Sequence, residues 1–153
     1  MAYPDGVMKT IVVPIDFSQA TAGVVDAAVT LAAAMDSRMI LLHIVQPLIV
    51  TGDYGLAMDD FQETIATSEQ HAARRLGELT ESLRARGVKN IETAQISGPA
   101  RAGIVGQAKK YEADYIIMGS HGHSAFYDLM IGSTTQYVIQ KAHCPVVIVP
   151  RMP

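Results

Sequence analysis

Disulfides, membrane spans and a basic surface are all missing from this sequence. Its 153 residues include one cysteine, Cys144, which excludes an intramolecular disulfide and is typical of a reducing compartment. The apolar runs are short, whereas a membrane-spanning helix needs roughly 20 consecutive apolar residues, so we expect neither a span nor a signal peptide. The formal net charge is −3, without the positive footprint of a nucleic-acid-binding protein. These absences favour a cytoplasmic protein that binds no nucleic acid.

Common catalytic and phosphate-binding motifs are missing as well. The sequence contains neither G-x-x-x-x-G-K-[ST] nor G-x-G-x-x-G, so a Walker-type NTPase and a nicotinamide-type Rossmann site are both unsupported. No Ser-His-Asp or Cys-His arrangement can be argued from the spacing. His121 and His123 form an H-x-H pair, but zinc needs three or four ligands and no third ligand is placed nearby in the sequence. The sequence therefore indicates no catalytic residue and no metal ligand.

Short apolar runs and helical stripes alternate along the chain. The composition is 49% apolar and 18% charged, which suits a sheet covered on both faces. Strict alternation of five strands with four helices predicts a doubly wound parallel sheet in a Rossmann-like, three-layer α/β/α sandwich. The chain has the size of a single domain. We expect residues 9–153 to form it, after a flexible tail at residues 1–8 that shows no periodicity.

The stretch from Tyr115 to Thr135 predicts a phosphate site. It begins with a short apolar strand and then breaks at three glycines, each of which permits a positive φ or a close approach of the backbone to a ligand. After the last glycine, the run from Ser133 to Gln136 matches a capping box, which predicts that Ser133 is the N-cap residue of a helix. A helix N-terminus presents unpaired N–H groups and a positive dipole end, and both attract anions.

The glycine spacing also carries a resemblance. The pattern Gly119-x2-Gly122-x9-Gly132-Ser133, after a strand that ends in Met118, resembles the nucleotide-binding motif of the universal stress protein family, in its ATP-binding branch. The resemblance covers nearly the whole chain. Three more segments sit where that family has its first, second and last strands: Ile11 to Ser18, Leu41 to Val45 and Pro145 to Pro150.

The resemblance implies a ligand and a set of residues that bind it. The ligand is ATP, with ADP or AMP as alternatives, and Mg²⁺ or Mn²⁺ is expected to bind through the phosphates. In the family, the residue matching Asp16 lines the adenosine end, and the residues matching Ile44 and Met118 sandwich the base. His123 stands where many relatives have lysine or arginine. The expected binding residues are Pro14, Ile15, Asp16, Ile44, Met118, Gly119, Gly122, His123, Gly132, Ser133, Thr134 and Thr135.

Simpler interpretations of the same residues stay open. The glycines alone are compatible with an ordinary strand-to-helix loop in which they serve turn geometry. Asp16, taken without the resemblance, is equally compatible with a turn-forming residue or a helix N-terminal anion.

The resemblance implies a regulatory module rather than an enzyme. We expect a homodimer that pairs through the strand Val146 to Val149, binds an adenine nucleotide and is read by an unidentified protein partner. Four consecutive β-branched residues at a sheet edge would otherwise be an aggregation hazard. The long connection from Pro47 to Asp60 is expected to close over the nucleotide or to present a partner surface.

Two alternatives remain on the same fold. One is a slow ATPase or phosphotransferase, although hydrolysis requires charge stabilisation at the γ-phosphate and the motif offers only Asp128 and two histidines. The other is a scaffold without nucleotide, as in family members that lack the glycine motif.

Overall fold

Strands and helices alternate strictly in the folded chain. A computed structural model describes residues 7–47, 58–121 and 131–151, and these ranges contain five strands and four helices. The predicted α/β alternation is therefore confirmed. The strands are β1 (Thr10–Pro14), β2 (Arg38–Val45), β3 (Ile91–Ser97), β4 (Tyr115–Gly119) and β5 (Val146–Val149); the helices are α1 (Thr21–Met35), α2 (Met58–Ala85), α3 (Ala100–Lys110) and α4 (Ser133–Lys141).

All five strands join one parallel sheet in the order β3-β2-β1-β4-β5. The chain winds outward from β1 to β3, crosses back to β4 and then winds the other way to β5. Helices α1 and α2 cover one face, and α3 and α4 cover the other. The doubly wound sandwich is confirmed, and the first and fourth strands lie side by side at its centre.

Strand β1 shows why the central strands are apolar at every position. Ile11 and Val13 pack in the core beneath α1 and α2, whereas Val12 packs in the core beneath α3 and α4. All three are completely buried. A strand that is covered on both faces has no side available for polar residues, so the apolar runs in the sequence mark the middle of the sheet.

Helix α2 begins earlier than the sequence pattern predicts. Met58 to Asp60 were expected to belong to the irregular connection that starts at Pro47, but they form the first turn of the helix. The rest of that connection, residues 48–57, lies outside the described residues. Apolar residues at helical spacing form the inner face of the helix and are buried or half-buried: Phe61, Ile65, Ala72, Leu76, Leu79 and Leu83.

The predicted cap of α4 is wrong by one residue. Gly132, rather than Ser133, is the N-cap residue, with φ −61° and ψ 154° and no side-chain cap. The N–H of Gln136 donates to the carbonyl of Gly132 at 2.9 Å, and the N–H of Gly132 donates to Ser120 O at 2.8 Å. This second bond ties the residue before the helix to the end of β4. Ser133 therefore lies inside the first helical turn.

The expected N-terminal tail lies mostly outside the described residues. Of residues 1–8, the structure describes Val7 and Met8, and both are exposed. Within the described ranges, no helix combines the length and the apolar character needed to cross a membrane.

A polar network fastens the amino ends of the strands. The N–H of Thr10 donates to Asp114 Oδ2 at 2.8 Å, and the N–H of Asp114 donates to Thr10 O at 2.8 Å. Arg38 Nε donates to Thr10 Oγ1 at 2.8 Å and forms an exposed ion pair with Glu92 at 3.3 Å. The reciprocal bonds between Thr10 and Asp114 fix β1 against the turn that precedes β4.

We expect Asp114→Ala to destabilise the protein by about 1–3 kcal/mol, because the buried Thr10 N–H loses its acceptor. Glu92→Ala is the matched control. It removes a carboxylate from the same network, but exposed ion pairs contribute only about 0–1 kcal/mol. Urea unfolding of the two variants measures the difference. Equal losses of unfolding free energy would show that the Thr10–Asp114 contact has no special role.

Asp114 also affects the chain's single cysteine. Burial, and to a lesser degree the negative charge of Asp114, raise the pKa of the Cys144 thiol. Because the thiolate is the reactive form, we expect alkylation by iodoacetamide to need a higher pH in the folded protein than in the urea-unfolded chain. Asp114→Asn removes the negative charge and should move the alkylation profile of the folded protein to lower pH. An unchanged profile would contradict the electrostatic contribution.

Candidate functional site

A cavity of about 320 Å³ opens at the carboxyl ends of β1, β2 and β4. It lies where the direction of winding reverses, between β1 and β4. Ligands of open α/β sheets bind at this kind of switch point, and the volume is at the lower end of the range for small-molecule sites.

One part of the cavity wall is apolar. Ile15 and Met118 are almost fully buried, and the half-buried Ile44 completes the lining at the end of β2. Helix α3 packs closely behind it. A Cβ atom placed on Gly103 would lie 2.7 Å from Ile44 Cδ1, so the absence of a side chain at Gly103 lets α3 pack directly against Ile44. The arrangement forms a slot suited to a flat apolar group.

The N-terminus of α4 forms another part of the wall. Gly132, Ser133, Thr134 and Thr135 all line the cavity. The Oγ1 of Thr135 donates to the carbonyl of Gly119 at 2.9 Å, which fixes the first turn of α4 against the end of β4. The first-turn N–H groups have no partner within a helix, and the positive dipole end lies here. This part of the cavity therefore attracts negative charge.

The backbone is closely packed around Gly119, at the end of β4. A Cβ atom at this position would lie 3.3 Å from the carbonyl oxygen of His121 and 3.4 Å from Val24 Cγ2. A side chain here would press on the His121 carbonyl, while helix α1 lies at van der Waals distance from the same point. The close approach brings Ala20 and Thr21, at the start of α1, into the cavity wall.

Asp16 supplies the one carboxylate among the described lining residues, and this lining contains no lysine or arginine. Asp16 Oδ1 accepts a hydrogen bond from the N–H of Ser18 at 2.9 Å. This bond folds the chain into a tight turn directly after β1. The carboxylate can accept hydrogen bonds from hydroxyl or amino groups of a ligand, but it repels phosphate. Asp16 therefore favours a ligand that is polar and uncharged at this point.

The structure brings ten of the twelve expected binding residues into this one cavity. The other two, Gly122 and His123, lie outside the described residues. Within the described ranges, no three His, Cys, Asp or Glu side chains are close enough together to hold a metal ion.

Several lining residues were not expected from the sequence. Thr21 and His121 are the chemically interesting ones, because Thr21 Oγ1 and His121 Nε2 are buried and have no hydrogen-bond partner within the described structure. His121 Nδ1 is 3.0 Å from Ser120 Oγ. No local signal marks Thr21, whose position depends on how α1 packs, whereas His121 stands between two glycines of the motif. The remaining ones are Ala20, Val24, Leu42, Gln46, Ala100 and Ile104.

Solved structures share this fold. The structure of MJ0577 from Methanocaldococcus jannaschii superposes with a TM-score of 0.82 at 26% identity, covering 96% of this chain and 99% of that one. A universal stress protein in complex with cAMP matches with a TM-score of 0.60 at 22% identity, over 92% and 95% of the two chains. The universal stress protein of Archaeoglobus fulgidus in complex with dAMP matches with 0.58 at 21%, over 94% and 98%. At 22% and 21% identity, the similarity to these two structures shows a shared fold and nothing more.

Sequence relatives lead to the same family. A universal stress protein of M. jannaschii is 29% identical over 151 residues, which cover 96% of this chain and 85% of the relative. Universal stress protein A homolog 2 of Coxiella burnetii is 34% identical over 126 residues, or 82% of each chain. The model of the universal stress protein family itself matches residues 8–150. The chain belongs to the universal stress protein family.

Proposed function

We propose that the cavity binds an adenine nucleotide and that the protein acts as a regulatory module whose occupancy is read by a protein partner in the cytoplasm. The observation that carries this proposal is the combination of an apolar slot, a carboxylate and a helix N-terminus in one cavity. A nucleotide has three matching parts in the same order: a flat base for the slot, a hydroxylated sugar for the carboxylate and a phosphate for the helix N-terminus. The cAMP and dAMP named for two relatives of the same fold support this ligand class.

Each part of the ligand has a matching part of the wall. The base would lie between Ile44 and Met118, since an apolar slot with a few polar anchors is the usual form of such pockets. The ribose hydroxyls would donate to Asp16. The phosphates would accept hydrogen bonds from the first-turn N–H groups of α4 and from the hydroxyls of Ser133 and Thr134. Asp16 repels phosphate, which favours this orientation over the reverse one.

We further propose binding with little turnover. Transfer of a γ-phosphate is accelerated by cations and by a residue that orients the nucleophile. The described wall contains no lysine or arginine and offers backbone N–H groups, hydroxyls and the imidazole of His121. Mg²⁺ or Mn²⁺ would enter with the phosphates of ATP and reduce their mutual repulsion. Native mass spectrometry of freshly purified protein would identify the resident nucleotide from its mass.

We expect Ser133→Asp to weaken ATP and AMP binding by about tenfold to 150-fold, as hydrogen bonds to charged groups contribute about 1.5–3 kcal/mol. The new carboxylate repels phosphate, yet in the first turn of α4 it stabilises the helix by about 0.3–1 kcal/mol. Folding and binding should therefore change in opposite directions. Isothermal titration calorimetry and thermal unfolding measure the two effects.

Two controls make this test specific. Adenosine has no phosphate, so its affinity should change by less than about twofold in Ser133→Asp. Gln136→Glu adds the same charge to the same helix at an exposed residue outside the cavity wall, and it should leave ATP affinity nearly unchanged. Equal weakening of adenosine and ATP would refute the placement of the phosphates at α4.

We also propose a homodimer formed through β5, which is the edge strand beside β4. Ile116 N donates to Pro145 O and Ser120 N donates to Val149 O, so the backbone groups of alternate residues, including Val147, face β4. By the alternation of a strand, the N–H and C=O groups of Val146 and Ile148 face the open edge. Antiparallel pairing with a second copy would place Val147 at the two-fold axis.

Ile148→Pro tests the dimer, because proline removes an outward N–H without removing a bond to β4. Ile148→Ala is the matched control, since it loses the same side chain but keeps the N–H. We expect the alanine variant to sediment as a dimer and the proline variant as a monomer at micromolar concentration. A wild-type protein that sediments as a monomer would rule out the interface.

A further inference from the structure

Phe17 has an unusual backbone conformation beside the cavity. Three non-glycine residues in the described ranges have positive φ: Phe17 at 59°, Asp36 at 48° and Glu112 at 50°. Asp36 is the C-cap of α1, and Glu112 directly follows the C-cap of α3, where the left-handed conformation is common. Phe17 instead lies between a strand and the start of a helix. A bulky residue in this conformation is an outlier, and such strain is concentrated at binding sites.

Two side chains hold the Phe17 ring in place. The His43 ring lies on one side, with centroids 4.8 Å apart and planes tilted by 51°. The guanidinium carbon of Arg75, on α2, lies 4.2 Å from the ring centroid. His43 Nδ1 is also 2.8 Å from the carbonyl oxygen of Ile15, and because a carbonyl only accepts, Nδ1 carries the hydrogen. The group therefore connects the segment after β1 with β2 and α2.

These contacts fix the residues on both sides of Asp16. The carbonyl of Ile15 is held by His43, and the ring of Phe17 is held by His43 and Arg75. The carboxylate itself accepts the Ser18 N–H. Asp16 lines the cavity, whereas Phe17, His43 and Arg75 do not. The residues on both sides of the Asp16 carboxylate are thus held by groups that do not line the cavity.

We propose that Phe17, together with His43 and Arg75, is a positioning residue that aims the Asp16 carboxylate at the hydroxyl groups of the bound ligand. Through this contact, α2 controls how strongly the site selects a ligand with sugar hydroxyls over one without them. The inference rests on the proposed nucleotide-binding function.

The binding test compares ATP with 2′,3′-dideoxy-ATP, which lacks both hydroxyls. Hydrogen bonds from hydroxyls to a fixed carboxylate should give the wild type a preference of at least about tenfold for ATP. We expect Phe17→Ala to lose most of this preference, and Phe17→Tyr to keep it. Arg75→Met should reduce the preference by about two- to fivefold, the size of an exposed cation–π contact. Should Phe17→Ala not fold, Arg75→Met carries the test, since its side chain is exposed.

Arg74→Met is the matched control. Arg74 is the neighbouring exposed cation on α2 and pairs with Glu78 at 3.7 Å rather than with Phe17. Its substitution removes the same charge from the same helix, so the preference for ATP should stay at the wild-type value. A preference that falls equally in Arg74→Met and Arg75→Met would overturn the proposal, because a general loss of positive charge would then explain the result.

A second measurement needs no ligand. In the free protein, NMR reports the shift and exchange rate of the Ser18 amide proton, which bonds to Asp16 Oδ1. We expect faster exchange in Phe17→Ala and Arg75→Met, and wild-type behaviour in Phe17→Tyr and Arg74→Met. An unchanged Ser18 amide in Phe17→Ala would overturn the positioning role even if ATP binds. If the amide responds but wild type binds no nucleotide, the proposed function fails and the ligand assignment falls with it.

Discussion

The pairing of β1 with β4 is the constraint on which the site depends. The backbone ladder joins Ile11 to Tyr115 and Val12 to Ile116, although both strands continue beyond it, to Pro14 and Gly119. The loops that follow these strands run to opposite faces of the sheet, because α1 and α4 lie in different layers. A short ladder followed by diverging loops leaves a gap at the carboxyl end of the sheet. The cavity is that gap.

The fold was predictable from the sequence because burial sets the spacing of apolar residues within each helix and strand. This spacing can be recognised in one segment without knowledge of the others. Leu76 and Leu83 recur on the inner face of α2, and Ile11 to Val13 form an unbroken apolar run because β1 is covered on both faces. The start of α4 was not predictable in this way. Whether Gly132 or Ser133 caps the helix depends on a bond from Gly132 to Ser120, and that bond exists only once the loop has closed on β4.

The residues of the candidate site can also be divided into those that the sequence predicts and those that depend on tertiary packing. Half of the site's expected residues lie at or directly after the carboxyl ends of strands, which must meet at one edge, so motif spacing and resemblance were enough to place Asp16 and Met118. Ala20 and Thr21 enter the wall because α1 packs against Gly119 within van der Waals distance. Nothing local marks them, since this contact depends on the whole crossover between β1 and β2. The same is true of Arg75, whose exposed position on α2 gives no sign that it covers Phe17.

The chemistry of the cavity wall determines which part of a nucleotide would be recognised. Backbone N–H groups and the hydroxyls of Ser133 and Thr134 can donate hydrogen bonds to any phosphate oxygen, so they distinguish poorly between a monophosphate and a triphosphate. A slot between Ile44 and Met118 and a carboxylate fixed in direction are more demanding, because a base of the wrong shape fills the slot poorly and a sugar without hydroxyls gives no hydrogen bond to the carboxylate. Under the proposed function, selectivity therefore lies at the nucleoside end. Occupancy by mono-, di- or triphosphate would then follow their relative concentrations, as suits a protein that reports on a nucleotide pool.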